Sequence, residues 1–206
     1  MWLNFVRQIQ AAKNPMTQEQ IAEHFRKTNA LLEGHFILSS GLHSPKYLQC
    51  ALALQNPTDA AKFGKAIAEK YTYGTFDSVA SPAIGGIIIG FAVAQALNIR
   101  FIWTERENGA MTLRRGFQIK DGEKILIVED VITTGGSTRE CINALTNRGA
   151  IVTDAASVID RSNGRADVGA PRIALASLDV PSYKIEDCPM CKNGEEAVKP
   201  GSRNSV

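Results

Sequence analysis

Residues Lys124 to Thr138 read KILIVEDVITTGGST. Ile125 to Val128 are branched and apolar without interruption, the pattern of a strand covered on both faces, and such strands belong to parallel sheets flanked by helices. The run stops at two acids, Glu129 and Asp130. After Val131 and Ile132 come Thr133, Thr134, Gly135, Gly136 and Ser137, small residues whose backbone can curl so that several N–H groups point into one concavity. Ser137 and Glu140 have the spacing of a capping box, which predicts a helix from Ser137 to about Asn147 with its positive dipole end on that concavity.

A Gly-rich turn before a helix suits a phosphate, and two carboxylates at a strand end suit a vicinal diol or Mg²⁺. Placed a few ångströms apart, they describe a ribose 5-phosphate. The other phosphate motifs do not fit: no Gly-Lys-Ser/Thr follows, and Gly135-Gly136 is not part of G-x-G-x-x-G. The plain alternative is a tight strand-to-helix turn beside solvated acids, which requires the acids and the turn to coincide by accident.

The chain has 206 residues, 44% of them hydrophobic, enough for one domain with a proper core. A formal net charge of +2 gives no support for coating a nucleic acid, so we expect no nucleic-acid partner. No apolar run has the length of a membrane span, and Met1 to Arg7 lack a signal-peptide core, so a cytoplasmic protein with no membrane partner is expected. The four cysteines, Cys50, Cys141, Cys188 and Cys191, fit a reducing compartment better than a disulfide scaffold. Cys188 and Cys191 make half a zinc site; with only His24, His35 and His43 elsewhere, two buried or solvated thiols are expected and no metal ligands are assigned.

Outward from the central stretch the chain alternates strand and helix. Residues 1–16 read as an N-terminal extension. Thr17 and Gln20 form a second capping-box pattern opening a helix to about Leu32, with Gly34 ending it and a short strand from His35 to Gly41. Pro57 opens another helix with Ala60, Phe63, Ile67 and Tyr71 as its apolar stripe. Phe76 to Ala80 is a strand, Ser81 to Gly86 a small-residue loop, Ile87 to Leu97 a helix apolar all round, and Arg100 to Thr104 a strand. Residues 107–116 lack clear periodicity and form a candidate lid. Ile151 to Ile159 is a strand closed by Asp160-Arg161-Ser162, and residues 193–206 are a polar tail expected to be mobile. Parallel strands with helical crossovers place Pro82 to Gly86, Arg106, Glu129 to Ser137 and Arg161 at carboxyl ends, where one crevice can hold them all.

The central stretch resembles the phosphoribosyl pyrophosphate (PRPP) signature of the type I phosphoribosyltransferases: a hydrophobic strand, two acids, two small apolar residues and Thr-x-Gly-Gly-Ser/Thr. Phe36-Ile37-Leu38-Ser39-Ser40-Gly41, Ser44-Pro45-Lys46-Tyr47 and Asp160-Arg161 are similar to segments of the orotate branch of that family. The resemblance implies an α/β type I phosphoribosyltransferase fold over residues 17–192, with a central parallel sheet and a small hood drawn mainly from residues 17–50 and the C-terminal part. It implies PRPP and orotate as substrates, orotidine 5'-monophosphate and pyrophosphate as products in pyrimidine synthesis, Mg²⁺ as cofactor, and a homodimer whose mobile loop serves the neighbouring subunit.

Site roles follow from the same resemblance. Glu129 and Asp130 hold the ribose hydroxyls, Val131, Ile132, Thr133, Thr134, Gly135, Gly136 and Ser137 bind PRPP, and Ala83, Ile84 and Gly85 form the pyrophosphate loop. Arg106 is counted with the acids as catalytic. Arg114 and Arg115 are assigned to the pyrophosphate from their charge, since the loop lacks the lysines and histidine usual in orotate enzymes; an Arg-Arg pair reads equally as a solvated turn. Thr133, Arg161 and Tyr47 contact the orotate, although Tyr47 alone could be packing and a lone strand-end Arg a salt-bridge partner. Ser39 stands where many orotate enzymes carry lysine, so no PRPP contact is expected there. The rival readings are a purine or uracil phosphoribosyltransferase, or a nucleic-acid-binding regulator on the same fold.

Overall fold

The computed structural model describes residues 16–38 and 40–200, so Ser39 and the first fifteen positions lie outside the described residues. In chain order its elements are α1 (Gln18–Lys27), β1 (Leu31–Ile37), β2 (His43–Leu48), α2 (Cys50–Ala53), α3 (Pro57–Ala68), β3 (Ser78–Pro82), α4 (Gly86–Leu97), β4 (Arg100–Glu107), β5 (Ala110–Leu113), β6 (Lys124–Ile132), α5 (Gly136–Thr146), β7 (Ile151–Asp160), β8 (Arg172–Ser177) and α6 (Pro189–Lys192). The main sheet runs β5-β4-β3-β6-β7-β8, with every pairing parallel except that of the edge strand β5. Taken along the chain, the five parallel strands lie second, first, third, fourth, fifth. Their order therefore reverses between β3 and β6, and the crevice outside their carboxyl ends is a topological switch point.

Strand β6 explains why the sheet is covered on both sides. Ile125, Leu126, Ile127 and Val128 are all fully buried, and alternate side chains face opposite ways. Ile125 and Ile127 pack with Ile102, Cys141, Ile142 and Leu145 beneath α5. Leu126 and Val128 pack with Phe25, Phe63, Ile67, Ile89 and Val93 on the opposite face. Each such side chain contributes about 1.5–3 kcal/mol by leaving water. Helix α4 is apolar on two sides because the sheet and α3 bury them, while Ile88 and Phe91 on its remaining side stay exposed. That packing is close: a Cβ on Gly64 would lie 2.5 Å from the Ala92 carbonyl carbon.

The capping box at Thr17 and Gln20 forms in both directions, at 3.2 and 2.9 Å. The helix it opens is shorter than expected, because Asn29 turns left-handed (φ 55°) and releases the chain into β1. Gly34, expected to end that helix, lies within β1 at an irregularity in the β1–β2 pairing. The second capping box does not form. Gly135, at φ 81°, precedes α5 with no side-chain cap, and Glu140 pairs with Arg106 instead.

Residues 107–116 hold a hairpin where an aperiodic segment was expected: β4 extends to Glu107 and pairs with β5 through a turn at Asn108 and Gly109, both at positive φ. The described part of the tail is docked where mobility was expected. Val198 pairs with Phe36, and Tyr183 with His43, so the C-terminal segment flanks the β1–β2 hairpin. Cys188 is a buried free thiol and Cys191 a half-buried one, as expected, and their sulfurs lie close to His35 and His43. Among the described residues no helix is long and apolar enough to cross a membrane.

Candidate active site

Pro82, Ala83, Gly85 and Glu129 to Thr138 line one recess of about 260 Å³ at the switch point between β3 and β6. Sequence reading expected all of these except Thr138. Thr138 was missed because it lies one residue beyond the motif, on the first turn of α5. The Ala83–Ile84 peptide is cis, and Ile84 itself is exposed. The loop from β3 and the acids of β6 touch closely. A Cβ on Gly85 would stand 2.8 Å from both Asp130 carboxylate oxygens, and one on Gly86 2.9 Å from the Val128 carbonyl oxygen. Glycine is required here because the acidic strand end occupies the space.

The folded chain disfavours ionisation of both acids. Burial pushes the Glu129 carboxyl well above its ordinary range, and the adjacent Asp130 charge pushes it further. Burial raises Asp130 as well, against the pull of the Val131 N–H, which donates to Asp130 Oδ1 at 2.8 Å. Such a pair calls for hydroxyl donors or a cation. Across the recess, α5 begins without a side-chain cap, so its first-turn N–H groups remain available to an anion. The Gly136 N–H reaches only the Thr134 hydroxyl, at a long 3.4 Å.

Thr133 and Thr134 also border a second, wider recess of about 830 Å³, lined by Arg161, Ser162, Arg165 and residues 179–182 among others. Arg161 is fixed through its backbone, whose N–H donates to Ile132 O at 2.8 Å and ties the end of β7 to that of β6. Its buried Nε has no hydrogen-bond partner among the described residues, and burial lowers the pKa of the guanidinium. A buried donor without an acceptor is costly, which marks this place for an anionic group. Asp160 does not share that role. It accepts from Ser162 N–H (2.7 Å), Ser162 Oγ (2.6 Å), Gly164 N–H (2.9 Å) and Arg172 (2.9 Å), fixing the loop after β7. Burial raises its carboxyl, but Ser162 and Arg172 together hold it below the usual range. Arg165 was overlooked in the sequence, although its spacing of four from Arg161 places a second cation on the same short loop.

The structure does not bring the remaining candidates into either recess. Arg106 donates to Gly109 O at 2.6 Å and to Glu140 Oε2 at 2.5 Å. Arg114 pairs with Glu107 at 3.2 Å, and Arg115 grips Glu105 in two bonds of 2.6 and 2.9 Å. Arg115, then the Trp103 indole N–H, hold Glu105 down at about 2. Tyr47 sits on β2 against Phe36, ring centroids 6.0 Å apart.

An open sheet with an acid pair and an uncapped helix start facing each other at its switch point is the arrangement of a type I phosphoribosyltransferase. Residues 53–183 match the phosphoribosyl transferase domain family. The chain is 50% identical over 188 residues to an orotate phosphoribosyltransferase of Pelotomaculum thermopropionicum, covering 91% of this chain and 99% of the relative. To the orotate phosphoribosyltransferase of Thermotoga maritima it is 50% identical over 183 residues, covering 89% and 98%. The chain belongs to the phosphoribosyltransferase family, in its orotate phosphoribosyltransferase branch. Solved structures agree on the fold: the orotate phosphoribosyltransferase of Aeropyrum pernix superposes with a TM-score of 0.65 at 23% identity, covering 77% of this chain and 93% of that one. The Mycobacterium tuberculosis enzyme in complex with PRPP superposes with a TM-score of 0.60 at 19% identity, covering 79% and 92%.

Proposed function

We propose that this chain transfers the 5-phosphoribosyl group of PRPP to orotate, giving orotidine 5'-monophosphate and pyrophosphate for pyrimidine nucleotide synthesis. One observation carries the reading: the uncapped start of α5 and the Glu129–Asp130 pair, buried at Glu129 and half-buried at Asp130, line a single recess. The helix start suits the 5-phosphate, and the ribose diol supplies the donors the acids lack. The unpartnered Nε of Arg161, in the recess adjoining at Thr133 and Thr134, favours an acidic base over a purine or uracil.

In the reaction, deprotonated N1 of orotate displaces diphosphate at the anomeric carbon. The C–N bond forms as the C–O bond breaks, and the electron pair leaves with the diphosphate. No side-chain nucleophile is needed; the chain contributes orientation and charge complementarity to the cationic sugar. Val131 to Ser137 seat the phosphate, Glu129 and Asp130 fix the ribose face, and Thr133 and Arg161 fix the base, with Tyr47 above it when the β1–β2 hairpin closes. Ala83, Ile84 and Gly85 present backbone to the diphosphate. Arg106, Arg114 and Arg115 reach it by exchanging their glutamate partners.

The acid pair also fits Mg²⁺, since a divalent cation would relieve two carboxylates raised by burial. Glu129 and Asp130 would hold it, and it would supply neutralising charge for the departing diphosphate. A cytoplasmic homodimer completes the reading, with residues 107–116 serving the neighbouring site. In support, Ile84, Ile88 and Phe91 form an exposed apolar stripe at 85%, 46% and 60% exposure, at helical spacing beside the site.

Loss of orotate absorbance in the presence of PRPP and Mg²⁺ tests the reading directly. No loss with orotate, but turnover of uracil or a purine base, would transfer the chain to another branch. Inertness toward all bases, with binding of RNA or DNA, would make it a regulator.

A further inference from the structure

The β1–β2 hairpin and the C-terminal segment are joined by a group of side chains that the proposed reaction does not use. His35, His43, Cys188 and Cys191 place one nitrogen or sulfur atom each within 4.8 Å of all the others. His35 Nε2 lies 2.7 Å from His43 Nδ1 and 3.5 and 3.7 Å from the sulfurs of Cys188 and Cys191. Cys191 Sγ lies 3.2 Å from His43 Nδ1. Zinc takes bonds of about 2.0–2.1 Å to nitrogen and about 2.3 Å to sulfur, so the edges of its tetrahedron are about 3.3–3.8 Å. The group has nearly that size already, and small side-chain adjustments complete it.

We propose that these four residues form a closed, structural Zn²⁺ site. Three further observations point the same way. His35 Nδ1 lies 2.9 Å from the Glu195 carbonyl oxygen; its N–H donates there, which leaves the lone pair of Nε2 facing the group. His35, His43 and Cys188 are buried, and two thiolates with two neutral imidazoles balance a divalent ion, so the burial leaves no net charge. The donor set also selects the metal, since a tetrahedral pair of sulfurs with a pair of nitrogens suits zinc and has no position left for a substrate. On binding, the two thiol protons pass to solvent.

The site has a mechanical purpose. A two-stranded hairpin is marginal alone, and this one is flanked by the C-terminal segment through His43–Tyr183 and His35–Val198 backbone bonds of 2.8 Å. A metal drawing ligands from both pieces staples them, as small units with little core require.

The test uses the full chain. Expressed with zinc, it should contain about one zinc per chain by elemental analysis, the fourfold protein coordination leaving no open position. Reduced and stripped of metal, it should take up Co²⁺ with the intense visible bands of a tetrahedral thiolate site. Cys191→Ser and His43→Ala should lose the metal and unfold at lower temperature, while Cys191→His, which restores four ligands, should retain it. Metal-free protein that gives no tetrahedral Co²⁺ spectrum overturns the proposal. So does zinc retained equally by Cys191→Ser and His43→Ala. The Co²⁺ titration of the unaltered chain decides the matter even where the variants fail to fold.

Discussion

Asp130 sits where stability and activity pull in opposite directions. Its carboxyl and that of Glu129 both titrate higher in the folded chain than in the unfolded one. Their favourable contribution is therefore complete below the unfolded value of about 4 and is lost as pH rises through the folded values. Asp130→Asn removes one of the two charges. Its melting temperature should exceed that of the parent at neutral pH and fall less steeply as pH rises above the ordinary carboxylate range, as thermal denaturation at a series of pH values would report. Turnover should fall by about ten- to a hundredfold, the equivalent of one charge-assisted hydrogen bond. A variant with normal kinetics for both substrates would remove the acids from the ribose site. Arg161→Ala should raise the KM for orotate by a similar factor of about ten to a hundred and change that for PRPP by less than about twofold, since only the base carries a carboxylate. Equal weakening of both would count against its assignment.

Among the elements, two glycines give opposite outcomes from the same small change. In Gly85→Ala the new methyl meets the Asp130 carboxylate at 2.8 Å, so the loop and the acid strand cannot both keep their places. Activity should drop by about tenfold or more with little change in melting temperature, because the collision falls on the recess proposed to hold PRPP and leaves the core intact. In Gly64→Ala the methyl meets the backbone of α4 at 2.5 Å, in a packed interface far from any substrate. That variant should lose about 1–3 kcal/mol of stability in chemical denaturation and keep its activity while folded. The Asn108-Gly109 turn of the β4–β5 hairpin is a known hairpin signal, but the charged residues around it hid the alternation that normally frames a strand pair. The capping-box pattern at Ser137 misled for a related reason. The spacing was right, but Gly135 had already turned left-handed, so the helix began earlier and left Glu140 to Arg106.

For the molecule as a whole, the sheet was legible because one strand, β6, carries its own record of burial, acid pair and turn. The order of the strands was not written there; it emerges from which neighbours β6 takes, and that order places the acids beside the Gly85 loop. Arg161 could be named from its strand end, but its unmet Nε became visible only once β7 lay beside β6. The meeting of His35 and His43 with the distant cysteines could not be read at all, since nothing local encodes it. Assembly is the remaining prediction at this scale. Phe91→Glu puts a charge in the exposed stripe of α4, and sedimentation should show the proposed dimer shifted toward monomer, with activity falling at low protein concentration. A variant that sediments like the parent would place the dimer contact elsewhere.

The bridges from Tyr183 and Val198 to β1 and β2 bear on how this chain is made. A ribosome delivers residues 31–48 well before the partners that brace them, which lie some 140 to 160 positions further along the chain. The parallel sheet can assemble during synthesis, whereas the β1–β2 hairpin must wait, loosely held, until residues 183–198 have emerged. Newly made enzyme should therefore acquire its sheet before its ability to enclose a base, and a ribosome stalled short of residue 183 would display a folded but inactive body.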